Sequence, residues 1–111
     1  MRIDFTHMTE NTVEHFKGGD GTFVNKMFQD DHNKIMLAHL TPGSSIGLHT
    51  HETNSEIIYI LSGAGKVLYD GQEISLSAGD CHYCPKGHQH SLINNGQEDL
   101  HFFAVVPEHG A

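Results

Sequence analysis

The side chains best suited to chemistry are His49, His51, Glu56 and His90. Imidazole is the commonest metal ligand in proteins, and histidine fills 11 of the 111 positions. His49 and His51 stand two apart, so an extended backbone projects both from one face of a strand. Two imidazoles held that way can converge on one ion at about 2.0–2.1 Å each. Glu56 opens the apolar run Glu-Ile-Ile-Tyr-Ile-Leu, where it shares a face with Ile58 and Ile60. If that face is buried, Glu56 is a carboxylate in an apolar interior, which is costly unless it is paired or coordinates a metal. His49, His51 and Glu56 would solve that problem together. His90 begins a later β-prone run, beyond a turn shaped by Pro85 and Gly87, and a ligand from a distant strand would close the site.

The remaining candidates carry less. His7, His15, His32 and His109 are scattered singly and read as surface residues, while His39 and His101 fall in strands of undetermined phase. Cys81 and Cys84 form a C-x-x-C pair, the spacing of a redox couple or half a zinc site. Their segment reads as a short strand, on which residues three apart face opposite ways. With no second pair and no βα pattern around them, they are expected to be free structural thiols, as in a reducing compartment.

The elements that must position these groups are short strands. Turn residues recur at 18–21, 42–43, 63–65, 70–71, 85–87 and 94–96. Between them lie β-prone runs at 22–29, 34–40, 56–61, 66–69, 72–76, 81–84, 91–94 and 99–106. This rhythm predicts an all-β sandwich or barrel. Asp70-Gly71 predicts a tight hairpin, because a type I′ turn needs positive φ at both central residues. At 9–16 a helical turn or two is expected, with Asn11 and Glu14 spaced as a capping box.

A chain of 111 residues suits one domain with one modest core. Its net charge of -8 argues against nucleic acid and anionic membranes as partners, since both demand clustered Lys and Arg. The beginning has no apolar stretch of a signal peptide and no run approaches a membrane span, so a cytoplasmic protein is expected. Adjacent Phe102 and Phe103 must point opposite ways, and an outward aromatic needs a cover; a homodimer is the expected one, the alternative being that the two-sheet barrel or the N-terminal segment hides both faces within one chain.

Two segments then bring a resemblance. Gly43 to Gly63 fits G-(x)5-H-x-H-(x)4-E-(x)6-G, and Gly79 to Asn94 fits G-(x)5-P-x-G-(x)2-H-(x)3-N, at every fixed position. These are similar to the two signature motifs of the cupin superfamily, and the short interval between them resembles small single-domain bacterial members. The resemblance implies a double-stranded β-helix, or jelly-roll, barrel over residues 22–111 preceded by an N-terminal segment, 1–21. It implies His49, His51, Glu56 and His90 as ligands of one divalent transition metal. Three imidazoles and a carboxylate suit Mn, Fe, Ni, Co, Zn or Cu.

By the same resemblance the residue before Pro85 faces inward, which turns His82 and Cys84 to the interior. His82 is then expected to be a hydrogen-bond partner of a ligand or a general base, and Cys84 small core filling. Phe102 or Phe103 is expected to line the cavity. Arg2 is the sole arginine, so no arginine pair is expected to hold a carboxylate or phosphate inside. Cupins include enzymes, storage proteins and sensing modules. The first expectation is a metal-dependent enzyme on a small organic acid, sugar or phenolic compound; the alternative is a non-catalytic module that binds a small molecule.

Overall fold

A computed structural model of the chain describes residues 1–110. It contains ten strands: β1 Asn11–Glu14, β2 Thr22–Gln29, β3 Asn33–Leu40, β4 His49–Thr50, β5 Glu56–Ser62, β6 Ala64–Tyr69, β7 Gln72–Ser77, β8 Cys81–Cys84, β9 Gln89–Ile93 and β10 Leu100–Pro107. They form two antiparallel sheets, ordered β1-β2-β3-β10-β5-β8 and β4-β9-β6-β7. This is the all-β jelly-roll architecture that the motifs imply.

Alternation along the strands builds the core between the sheets. β5 buries Glu56, Ile58 and Ile60 and exposes Ile57, Tyr59 and Leu61. From β10, Leu100, Phe102 and Ala104 meet Val67 of β6 and Leu92 of β9. The hairpin at Asp70-Gly71 has φ of 48° and 82°, the double positive φ its sequence predicts.

Residues 9–16 differ from the helical expectation. Asn11–Glu14 form a strand that pairs with β2, Asn11 opposite Asn25 and Glu14 opposite Thr22. A single turn of helix forms too few hydrogen bonds to repay its nucleation, whereas the free edge of β2 offers a ready ladder. The carboxylate of Glu14, read as a cap residue, instead accepts the Thr22 hydroxyl at 2.9 Å. One 3-10 turn follows at Phe16–Gly18, and another precedes it at Phe5–His7.

The two adjacent aromatics of β10 also settle differently from the cavity-lining expectation. Phe102 is fully buried in the core, with its ring stacked near Phe23 at 6.3 Å. Phe103 points outward and meets Phe5 edge-on at 6.3 Å, so the N-terminal segment itself covers it. Neither lines the cavity: Phe102 fills the middle of the core, and the inward residue of β10 that reaches the cavity is Val106, farther along the strand.

Asn94, the last residue of the second motif, ties the sheets together at one end. It is fully buried, its amide donates to the carbonyls of Leu40 and Glu98 at 2.9 and 2.8 Å, and its oxygen accepts from Gly96 N–H at 3.0 Å. Asn94→Ala strands these backbone groups and should cost about 2–4 kcal/mol of folding stability. Urea denaturation measures it, and a loss near zero would show that the amide merely fills space.

Candidate metal centre

Four donors meet between the two sheets. β4 pairs with β9 so that His49 lies directly opposite His90. His51 follows one residue beyond β4, and Glu56 enters from the other sheet as the first residue of β5. His51, Glu56 and His90 are buried and His49 is partly exposed. One donor atom from each lies within 4.8 Å of the other three.

The spacing fits an ion. Donors about 2.1 Å from a common centre and at right angles to one another stand about 3 Å apart. His51 Nε2 and His90 Nε2 are 2.9 Å apart, and Glu56 Oε1 stands 3.0 Å from the latter and 3.3 Å from the former. The rings of His49, His51 and His90 are mutually inclined by 63–67°, with centroids 4.8–4.9 Å apart.

The opposite nitrogen of each ring decides which lone pair faces inward. His49 Nδ1–H donates to the Gly47 carbonyl at 2.7 Å. His51 Nδ1–H donates to Asn54 Oδ1 at 2.6 Å, and Asn54 is oriented by its own donation to Glu108 Oε1 at 3.0 Å. His90 Nδ1 stands 3.0 Å from His82 Nε2. With protons on the three Nδ1 atoms, all three Nε2 lone pairs point at the centre. Burial holds His82 down to about 4, with the neighbouring His90 adding to the effect, so near neutral pH it is an uncharged acceptor for His90.

Electrostatics follow from burial. Where no ion takes the Nε2 lone pairs of His51 and His90, those nitrogens can carry protons and donate to Glu56; desolvation alone would raise the carboxyl, but these hydrogen bonds outweigh it and hold it at about 2. Burial opposes protonation of His51, yet its bonds to Glu56 and Asn54 raise it, with Lys17 acting against them. His49 is lowered, chiefly by desolvation. Burial pushes the Cys84 thiol up to about 11, so it remains a thiol opposite Glu56 rather than a thiolate ligand. Cys81 is exposed, and both cysteines are free.

A cavity of about 270 Å³ opens beside the four residues. Its wall includes His49, His51 and Glu56, the apolar Phe16, Phe23, Met27 and Met36, and three charged residues that sequence reasoning missed: Lys17, Lys34 and Glu52. Arg2 lies elsewhere, beside Asp4 on the surface. Lys17 arrives from the segment before β2, which crosses the mouth of the barrel, and nothing in its local sequence signals that path. Asn54 was legible in principle, since a short amide three residues after a ligand histidine can reach back to it.

The other histidines lie apart. His39 and His101 are direct partners across β3 and β10, with rings 4.9 Å apart. His7, His15, His32 and His109 are exposed.

Known proteins share this fold. The family described as cupin domain matches residues 36–106. The chain is 36% identical over 112 residues to an "oxalate-binding protein" of Thermotoga maritima, covering 96% of this chain and 93% of that protein. The crystal structure of "a predicted oxalate decarboxylase" from Thermotoga maritima superposes with a TM-score of 0.91 at 32% identity, over 97% of this chain and 99% of that one. A sugar phosphate isomerase from Silicibacter pomeroyi shares the fold, with a TM-score of 0.81 at 20% identity over 97% and 76% of the two chains.

His82 should leave a signature in metal-free protein. Its pKa is depressed in the folded state, so the unfolded imidazole takes up a proton near pH 6.5 that the folded one refuses until about 4. Stability is thus lost as pH falls through that window, by up to about 3 kcal/mol for this residue. His82→Gln should flatten the fall in melting temperature between pH 6.5 and 4. Unchanged slopes would show that His82 is not held neutral.

Proposed function

The chain belongs to the cupin family, and on that premise we propose that it binds a small organic acid through one divalent transition-metal ion held by His49, His51, Glu56 and His90. The observation that carries the reading is the outer ring of acceptors. Gly47, Asn54 and His82 each engage the far nitrogen of one imidazole, which leaves four donors aimed at one point. The donor set lacks thiolate and suits Mn, Fe, Co, Ni, Cu or Zn. An ion there would act as a Lewis acid with coordination positions left for a ligand's oxygens.

The chain's own residues prepare that ligand site. Glu56 supplies the negative charge that balances part of the cation. Lys17 and Lys34 on the cavity wall favour an anion, and Phe16 and Met36 keep one side of the cavity apolar. Oxalate is the first candidate, because a relative 36% identical carries the name oxalate-binding protein. His82 acts as a positioning residue, fixing the tautomer of His90. A second reading, turnover of the bound acid, is favoured by Glu52, a carboxylate on the same wall that could exchange a proton with it. Two free thiols suit the reducing cytoplasm as the working compartment.

The test begins with chelation, reloading and elemental analysis. About one metal ion per chain is expected. His51→Ala should reduce uptake severely, whereas His15→Ala should not. Calorimetry should then detect oxalate binding by loaded protein alone, and carbon dioxide release in the same samples separates turnover from binding. Equal oxalate affinity with and without metal would defeat the reading.

The reading includes a homodimer. Ile57, Tyr59 and Leu61 of β5 and Tyr83 of β8 are 41–54% exposed, and Ile57 lies directly opposite Tyr83. These side chains form one apolar face on the outside of the larger sheet, the kind of surface that pairing covers. Light scattering at micromolar concentration should give twice the chain mass, and Tyr59→Lys should return it to that of one chain. A single-chain mass for the unmodified protein would contradict the assignment.

A further inference from the structure

The segment that crosses the cavity mouth is held in an unusual conformation. His15 and Lys17, neither of them glycine, have φ of 54° and 57° and flank Phe16. The left-handed region is costly for such residues and persists only where surrounding contacts enforce it. Here they do. Gly18 N–H donates to the His15 carbonyl at 2.9 Å, Gly19 and Gly47 N–H both donate to the Phe16 carbonyl at 3.0 Å, and Ser45 N–H donates to Asp20 at 2.8 Å. The result turns the Phe16 ring onto Phe23, with centroids 4.9 Å apart and planes inclined by 18°, and sets Lys17 beside it on the same wall.

The wall so formed exceeds what a two-carbon diacid can use. Phe16, Phe23, Met27, Met36, Ile46 and Val106 give it an extended apolar surface. The cavity, of about 270 Å³, runs along that apolar surface beyond the donors, whereas all six non-hydrogen atoms of oxalate belong to the polar head that an ion would hold. Methionine adapts to varied ligand shapes, and an aromatic ring offers a flat face to a planar group.

We propose that Phe16 and Lys17 are specificity-determining residues that select an amphiphilic carboxylate: an acid with a chelating 2-hydroxy or 2-oxo head and an apolar, preferably aromatic, body seated against Phe16, Met27 and Met36. Lys17 attracts the anion at the mouth, and Phe16 covers its body. The inference rests on the metal-dependent reading above and extends it from the head of the ligand to its tail.

The experiment compares lactate with 3-phenyllactate, which share one head and differ in the tail, by calorimetry on zinc-loaded protein. Metal uptake is measured first; if zinc is not taken up the comparison runs on protein loaded with Mn, Fe, Co, Ni or Cu, and failure of all six would overturn the metal-dependent reading and this inference with it. Phenyllactate should bind roughly 10- to 100-fold more tightly than lactate, as expected for burying a phenyl group. Phe16→Ala should bring the two affinities close together, and Lys17→Gln should weaken both acids and reduce the salt dependence of binding. The comparison in unmodified protein stands even if a variant fails to fold. Equal affinities there, with metal bound, would overturn this inference alone, and so would a preference for phenyllactate that survives Phe16→Ala undiminished.

Discussion

The constraint on which the molecule turns is a carboxylate buried between two apolar sheets. Glu56 continues the inward face of Ile58 and Ile60 and is only 6% exposed. A charge in that position is tolerated only with partners that compensate for its lost hydration. His51 and His90 are those partners, and each needs an acceptor for its other nitrogen. Asn54 and His82 meet that need, and Asn54 is itself steadied by Glu108. Satisfying one acid thus recruits residues from both sheets and from the chain's C-terminal stretch. No buried side-chain polar atom among the described residues is left without a partner. A cation at the centre would answer the same charge more directly, with the outer acceptors already in place.

Much of this was legible because period-two alternation is a strong constraint. Strand β2 begins just after the turn residues at 18–21, and β8 turns His82 inward with Cys84 while Cys81 and Tyr83 face out. The four donors were legible for a related reason. Their spacings match the two cupin motifs, and strands β4, β9 and β5 bring the donors to one point. The helical expectation at 9–16 failed because a capping-box spacing says nothing about a neighbouring strand with an empty edge. Tertiary pairing overrode a local signal worth little by itself.

The cavity was the least legible part. Alternation left open whether Phe102 or Phe103 faces inward, and it does not say how far along the barrel an inward residue sits, so Phe102 proved to be core while Phe23 and Met36 reached the opening. Lys17, Lys34 and Glu52 come from three separate stretches and converge through the path of the chain. Their charges make the opening a different environment from the protein as a whole, which is strongly acidic. A net charge summed over the sequence averages away such a contrast.

Gly47 is where the segment over the mouth and the centre share one residue. Its N–H donates to the Phe16 carbonyl and its carbonyl accepts from His49. A side chain there would place its first carbon 2.0 Å from the Lys17 carbonyl, and one on Gly19 would come 2.2 Å from that of Ser45. The two stretches therefore constrain each other as an engineering problem. Side chains at 16 and 17 are open to exchange in a redesigned pocket, but the backbone route between them and residue 47 is not. A library that randomises the mouth while keeping both glycines would sample new ligand shapes on an intact centre. One that extends into 19 or 47 would chiefly sample misplaced versions of His49.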